Sequence, residues 1–145
     1  KGLGDDAVEV YRASCSLDGG REAAATILAH SGATAIVTMA DIMAMGVYRL
    51  CRETGVAIPD DLSVASFDDT ELCSLVQPGL TSIRHPGYMK GYTAGRALLA
   101  AMASRGEVPV AADSSIIMPH ELMVRGSTAG PGLKPVARTG TPDLS

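Results

Sequence analysis

Three carboxylates stand at the ends of two apolar runs. The stretch Ala33-Thr-Ala-Ile-Val-Thr-Met leads to Asp41, and Leu62-Ser-Val-Ala-Ser-Phe leads to Asp68 and Asp69. A carboxylate so placed can accept hydrogen bonds from adjacent hydroxyls of a sugar or nucleoside. It can also share a magnesium ion for hydrolysis or phosphoryl transfer, or cap a helix. The metal-dependent hydrolase is the weaker alternative, because no Gly-rich phosphate loop, paired nucleophile and base, or strand-end Lys accompanies the three. Ligand binding without catalysis, cofactor or metal is therefore expected. Asp68 and Asp69 each read as a ligand contact or as a cap for the following turn, and Asp41 as a helix cap or second ligand contact.

The elements that must position these groups alternate. Residues 8–13 alternate apolar and polar and read as a first strand. Asp18 opens a helix carrying Ala23, Ala24, Ile27 and Leu28, closed by His30-Ser-Gly32. Residues 33–38 form a second strand, a run suited to a sheet buried on both faces. A helix from Asp41 puts Met43, Gly46, Val47, Leu50 and Cys51 on one face and stops at Gly55. Strands follow at 62–67 and 80–84, separated by a short turn ending at Pro78-Gly79. A longer helix spans 88–104, with Met89, Tyr92, Leu99 and Met102 in one stripe and with Gly91 and Gly95 offering close backbone approach. Residues 115–118 and 121–124 are extended, and 126–145 reads as a flexible tail. This alternation predicts an α/β fold, a parallel sheet with flanking helices. All strands of such a sheet end at one edge, where ligands bind.

Composition narrows the function further. A chain of 145 residues fits one domain. Aromatic residues make up only 3%, with no Trp and Phe67 as the single Phe, so aliphatic side chains must fill the core. The net charge is −4 and Lys and Arg are scattered, which argues against direct binding to nucleic acid or an anionic membrane. Cys15, Cys51 and Cys73 are odd in number and lack metal-ligand spacing; a reducing cytoplasm without disulfides is expected. No apolar run approaches the roughly 20 residues of a membrane helix.

Several ordered phrases resemble the effector-binding core of the lactose-repressor (LacI/GalR) family of transcription regulators. They are Asp41-Ile-Met-Ala-Met-Gly46, Arg52-Glu-Thr-Gly-Val-Ala-Ile-Pro-Asp-Asp-Leu-Ser-Val64, Ser66-Phe-Asp-Asp69, Leu80-Thr-Ser-Ile-Arg-His-Pro86 and Pro119-His-Glu-Leu-Met-Val-Arg-Gly-Ser-Thr128. The likeness runs from about residue 8 to 128. It implies an incomplete lobe of the periplasmic-binding-protein type (type I), with residues 1–125 as a core fragment and 86–112 returning to the amino-terminal lobe of a complete parent. It also implies a small effector, sugar or purine-like, a homodimer, and DNA contact only through a head domain absent from this chain. A periplasmic solute-binding protein of the same fold is the alternative.

Site roles follow from the same resemblance. Asp68 matches an aspartate that hydrogen-bonds ligand. Ala40 stands where the family commonly has a ligand-contacting Asn, and Cys15 where an aromatic often stacks on ligand, although a small buried hydrophobe is the plainer reading of this thiol. His85 lies at the lobe crossing as a ligand donor, a hinge residue or a structural His beside Pro86. Met45, Arg49, Leu72 and Val76 match the dimer contact.

Overall fold

A computed structural model describes residues 8–103 and 115–130. The described residues divide into two compact units, one of residues 8–83 and 122–130, the other of residues 84–103 and 115–121. In the first unit, helix α1 (Leu17–His30) precedes strand β1 (Ala35–Val37), and helix α2 (Asp41–Thr54) leads to strand β2 (Ser63–Asp68). A short helix α3 (Leu72–Leu75) follows, then strand β3 (Thr81–Arg84), whose last residue enters the second unit. That unit carries helix α4 (Gly87–Ala103), and strand β4 (Glu121–Met123) brings the chain back.

The four strands form one mostly parallel sheet in the order β1-β2-β3-β4. β1 and β2 run parallel, pairing Ala35 with Ser63, Ile36 with Val64 and Val37 with Ala65. This register puts the carboxyl ends of both strands at one edge, and with them Asp41 and Asp68. The core beneath is aliphatic, as the shortage of aromatics requires. Ala24 and Leu28 of α1, Ala44, Val47, Leu50 and Cys51 of α2, and Ile36, Leu62, Val64, Cys73 and Leu80 are buried together.

The two helices of this layer cross unusually closely. A Cβ on Gly20 would collide with the Met43 carbonyl, and one on Gly46 with the Leu17 carbonyl and the Arg21 amide nitrogen. Close approach is expected instead at Gly91 and Gly95, where none of the described residues lies within 4 Å of the place a Cβ would take. Indeed α4 buries none of its residues, so the stripe of Met89, Tyr92, Leu99 and Met102 is exposed. Its Tyr88 and Tyr92 rings stack at 6.4 Å.

Other expectations need correction. Residues 8–13 are not a strand, and Val8 and Val10 lie exposed. Alternation specifies a strand only where a sheet offers a partner and a face to cover. β1 is consequently an edge strand with Val37 exposed and only Ile36 buried, not a strand covered on both faces. The cap of α1 is Ser16, whose Oγ accepts from the Gly19 amide at 3.0 Å, while Asp18 sits in the first turn. The expected tail begins too early. Ser127 is fully buried, its hydroxyl donating to the Val64 carbonyl at 2.6 Å and accepting from the Thr81 amide at 2.8 Å. The Ala129 amide donates to Ser63 Oγ at 3.2 Å, so residues 126–130 are laced onto β2 and β3. Residues 131–145 lie outside the described residues.

Candidate functional site

At the carboxyl end of β2 the backbone takes a form that side chains rarely adopt. Asp68 has φ 105° and Asp69 has φ 53°. Two consecutive non-glycine residues in this region are held against a cost of about 1–3 kcal/mol each, and such conformations cluster at functional sites. Asp68 is exposed, whereas the Asp69 side chain is turned inward.

The N-cap position of α3 belongs to Glu71, and Asp69, expected as a ligand contact or cap, reaches a cation instead. Its Oδ1 meets Arg125 Nη2 at 2.6 Å, with the carboxylate only 2% exposed. Arg125 Nη1 also donates to the Leu80 carbonyl at 2.8 Å. The guanidinium thus binds a carboxylate on the β2–α3 turn and a carbonyl just before β3.

Asp41 was expected as a cap or at the ligand; the structure closes it inside the protein. The N-cap position of α2 belongs to Ala40, which has no side-chain hydrogen bond to give. The Asp41 side chain is 1% exposed. Its Oδ2 accepts from the Thr70 amide at 2.7 Å and the Thr70 hydroxyl at 2.8 Å, and its Oδ1 from the Ser82 hydroxyl at 2.8 Å. Burial alone would push this carboxyl up. The Thr70 amide, the Ser82 and Thr70 hydroxyls and the Cys73 thiol outweigh it together, and the group titrates below the usual 3.8. Beside it, Cys73 is pushed up to about 11 by burial, its hydrogen bond to Asp41 and the Asp41 charge.

The edge is tied across the strands as well. Thr38 and Ser66, one step past the register pairs, join by hydroxyls at 2.9 Å. Ala40 is half-buried beside them in sequence. Asp41 and Asp68 are therefore brought to one edge, and the hydrogen bonds of Thr70 tie Asp41 to the turn that follows Asp68. Cys15 is exposed at the bend before α1, which corrects the plainer reading of a buried thiol. His85 is half-buried and belongs to the second unit. Among the expected dimer residues, Met45 and Val76 pack partly against the core and Leu72 is half-buried at the start of α3. Arg49 is exposed and pairs with Glu53 at 3.0 Å and Asp18 at 4.0 Å.

A recess of about 240 Å³ lies elsewhere, lined by Tyr11, Arg12, Ser14, Gly19, Glu22 and Thr26 among others. None of the expected ligand residues lines it. Sequence reasoning missed Arg125, Thr70 and Ser82. None of the three has a local signal: Thr81 and Ser82 are buried in succession at the start of β3, which no alternation announces.

Such an α/β lobe with acceptors at the strand ends has known relatives. Residues 2–128 match the family described as periplasmic binding protein-like domain, and the chain belongs to that family, in the form found in LacI-family regulators. It is 38% identical over 131 residues to the HTH-type transcriptional regulator MalR of Streptomyces coelicolor, covering 88% of this chain and 37% of that protein. To the regulator DegA of Bacillus subtilis it is 36% identical, over 79% of this chain and 33% of that one. Among solved structures, a complex of the transcriptional regulator CelR with cellobiose superposes with a TM-score of 0.73 at 25% identity, over 86% of this chain and 37% of that one. A LacI family regulator of Enterococcus faecalis with bound ribose gives 0.68 at 32% identity, over 84% and 44%. The chain thus spans between a third and a half of the length of these relatives. Among the described residues, no helix is long and apolar enough to cross a membrane.

Proposed function

We propose that this chain is part of the effector-sensing core of a cytoplasmic transcription regulator, and that it takes a sugar at Asp68. The observation that carries the reading is the strained turn at the end of β2, which exposes Asp68 while Asp69 and Asp41 face inward. An outward carboxylate accepts from two neighbouring hydroxyls in fixed geometry. The relatives holding ribose and cellobiose support a sugar over a nucleobase. DNA contact belongs to a head outside this acidic chain, and Met45, Arg49, Leu72 and Val76 contribute to a homodimer face on α2 and α3. His85, Cys15 and Ala40 serve the ligand as flanking contacts.

No catalysis is assigned to the site. A hydrolytic metal centre would need the three aspartates to converge on one ion. Here Asp41 is spent on hydroxyls and an amide, and Asp69 on Arg125.

An NMR titration of the full chain with ribose and with cellobiose tests the proposal. This chain supplies one wall of a cleft, so weak binding is expected, with shifts at the amides of residues 68–70 that vanish in Asp68→Asn. Shifts from a purine base but not from either sugar would replace the ligand class. Unchanged sugar binding in Asp68→Asn would remove Asp68 from the site.

A further inference from the structure

One buried carboxylate holds both peptide groups that follow Asp68. The Thr70 amide donates to Asp41 Oδ2 directly at 2.7 Å. The Asp69 amide donates at 3.1 Å to Ser82 Oγ, which itself donates to Asp41 Oδ1 at 2.8 Å. These are the two peptide groups that flank Asp69, whose φ is 53°, and the first of them joins it to Asp68. We infer that Asp41 is a positioning residue: it fixes the Asp68–Asp69 turn and so the direction in which the Asp68 carboxyl leaves the sheet. The inference rests on the reading that Asp68 meets the ligand.

The chemistry of the group suits that task. Four donors converge on it from the β2–α3 turn, α3 and β3, and an ionised carboxylate is the side chain that accepts on both oxygens without offering a proton. Its place in the first turn of α2 adds the favourable end of the helix dipole. An amide here would aim its own N–H groups at one of these donors. Because 28 residues separate Asp41 from Asp69 in the chain, the link joins the start of a helix to a turn two elements later.

Two measurements on the full chain decide the matter. The first is amide hydrogen exchange without ligand at Asp69 and Thr70, compared with Val64 and Leu80, whose amides bond to Ser127 and Cys73 in the interior. The second is NMR titration with cellobiose and ribose. Asp41→Asn is expected to speed exchange at Asp69 and Thr70 by about tenfold or more, with Val64 and Leu80 unchanged, and to weaken sugar binding by about tenfold. Thr70→Ser, which keeps both donors, should restore wild-type behaviour that Thr70→Val loses. Unaltered exchange at the two turn amides in Asp41→Asn overturns the inference. Faster exchange at all four amides also overturns it, since Asp41 would then support the fold at large. Should Asp41→Asn fail to fold, Ser82→Ala cuts only the relay and should free Asp69 but not Thr70; equal effects on both would count against the relay. Sugar binding indifferent to Asp41→Asn overturns the positioning role alone, whereas sugar binding absent from the wild type removes the ligand site and the role together.

Discussion

Arg125 and Asp69, 56 residues apart in the chain, meet at 2.6 Å with the carboxylate almost wholly enclosed. The pair fastens the segment after β4 to the turn after β2. Removing the cation strands a carboxylate in a site closed to water, and breaking such pairs typically costs about 3–5 kcal/mol. Arg125 keeps some solvent access, so Arg125→Ala should lower unfolding stability by about 3 kcal/mol in urea. Arg125→Lys keeps the charge but not the fork that also reaches the Leu80 carbonyl, and should fall between. A loss in Arg125→Ala within the noise of a surface substitution would mean that the pair holds nothing.

Acid should act through Asp41. Its carboxyl titrates lower in the folded chain than the ordinary 3.8, so its ionised form stabilises the fold at pH values above that figure. The contribution is lost as pH falls through the depressed folded value, because protonation then becomes equally available to both states. The difference in Tm between wild type and Asp41→Asn is therefore expected to be constant near neutrality and to shrink below about pH 4. A difference that grows on acidification would reverse the sign of the linkage.

Much of this arrangement is legible in the sequence, and the division has a physical basis. The runs at 33–38 and 62–67 announce strands because apolar periodicity is a local property, and their parallel pairing follows from the helix between them. That is enough to bring Asp41 and Asp68 to one edge. What each carboxylate does there depends on distant donors. Asp69 looks like a cap until Arg125 is placed, and Asp41 until Thr70 and Ser82 are. Likewise the alternation at 8–13 fits a strand, but a strand exists only with a neighbour, and pairing is not encoded within six residues. The glycine positions reverse for the same reason: Gly46 is crowded by α1 and Gly95 by nothing, a contrast set by packing alone.

That contrast yields opposite outcomes for one substitution. At Gly46 a methyl group would strike the backbone of α1, which cannot yield without parting the helices. Gly46→Ala should destabilise by about 1–3 kcal/mol. Gly91 and Gly95 sit in open space inside α4, where Ala improves helix propensity by about 1 kcal/mol. Gly91→Ala and Gly95→Ala should raise the helical signal in circular dichroism and leave urea unfolding of the sheet unit unchanged. Equal penalties at Gly46 and Gly95 would show that α4 has a close neighbour after all.

Asp68 should show the trade between strain and binding. Its φ of 105° suits glycine, not aspartate. Replacing it with glycine relieves the backbone, and the exposed side chain leaves no cavity behind. Asp68→Gly is thus expected to stabilise the chain by up to about 1 kcal/mol while abolishing its response to ribose and cellobiose. Asp68→Asn, which retains the shape and the strain, should lose binding without the gain in stability. A residue kept only for the turn would behave otherwise: glycine would then stabilise and the sugar response would survive.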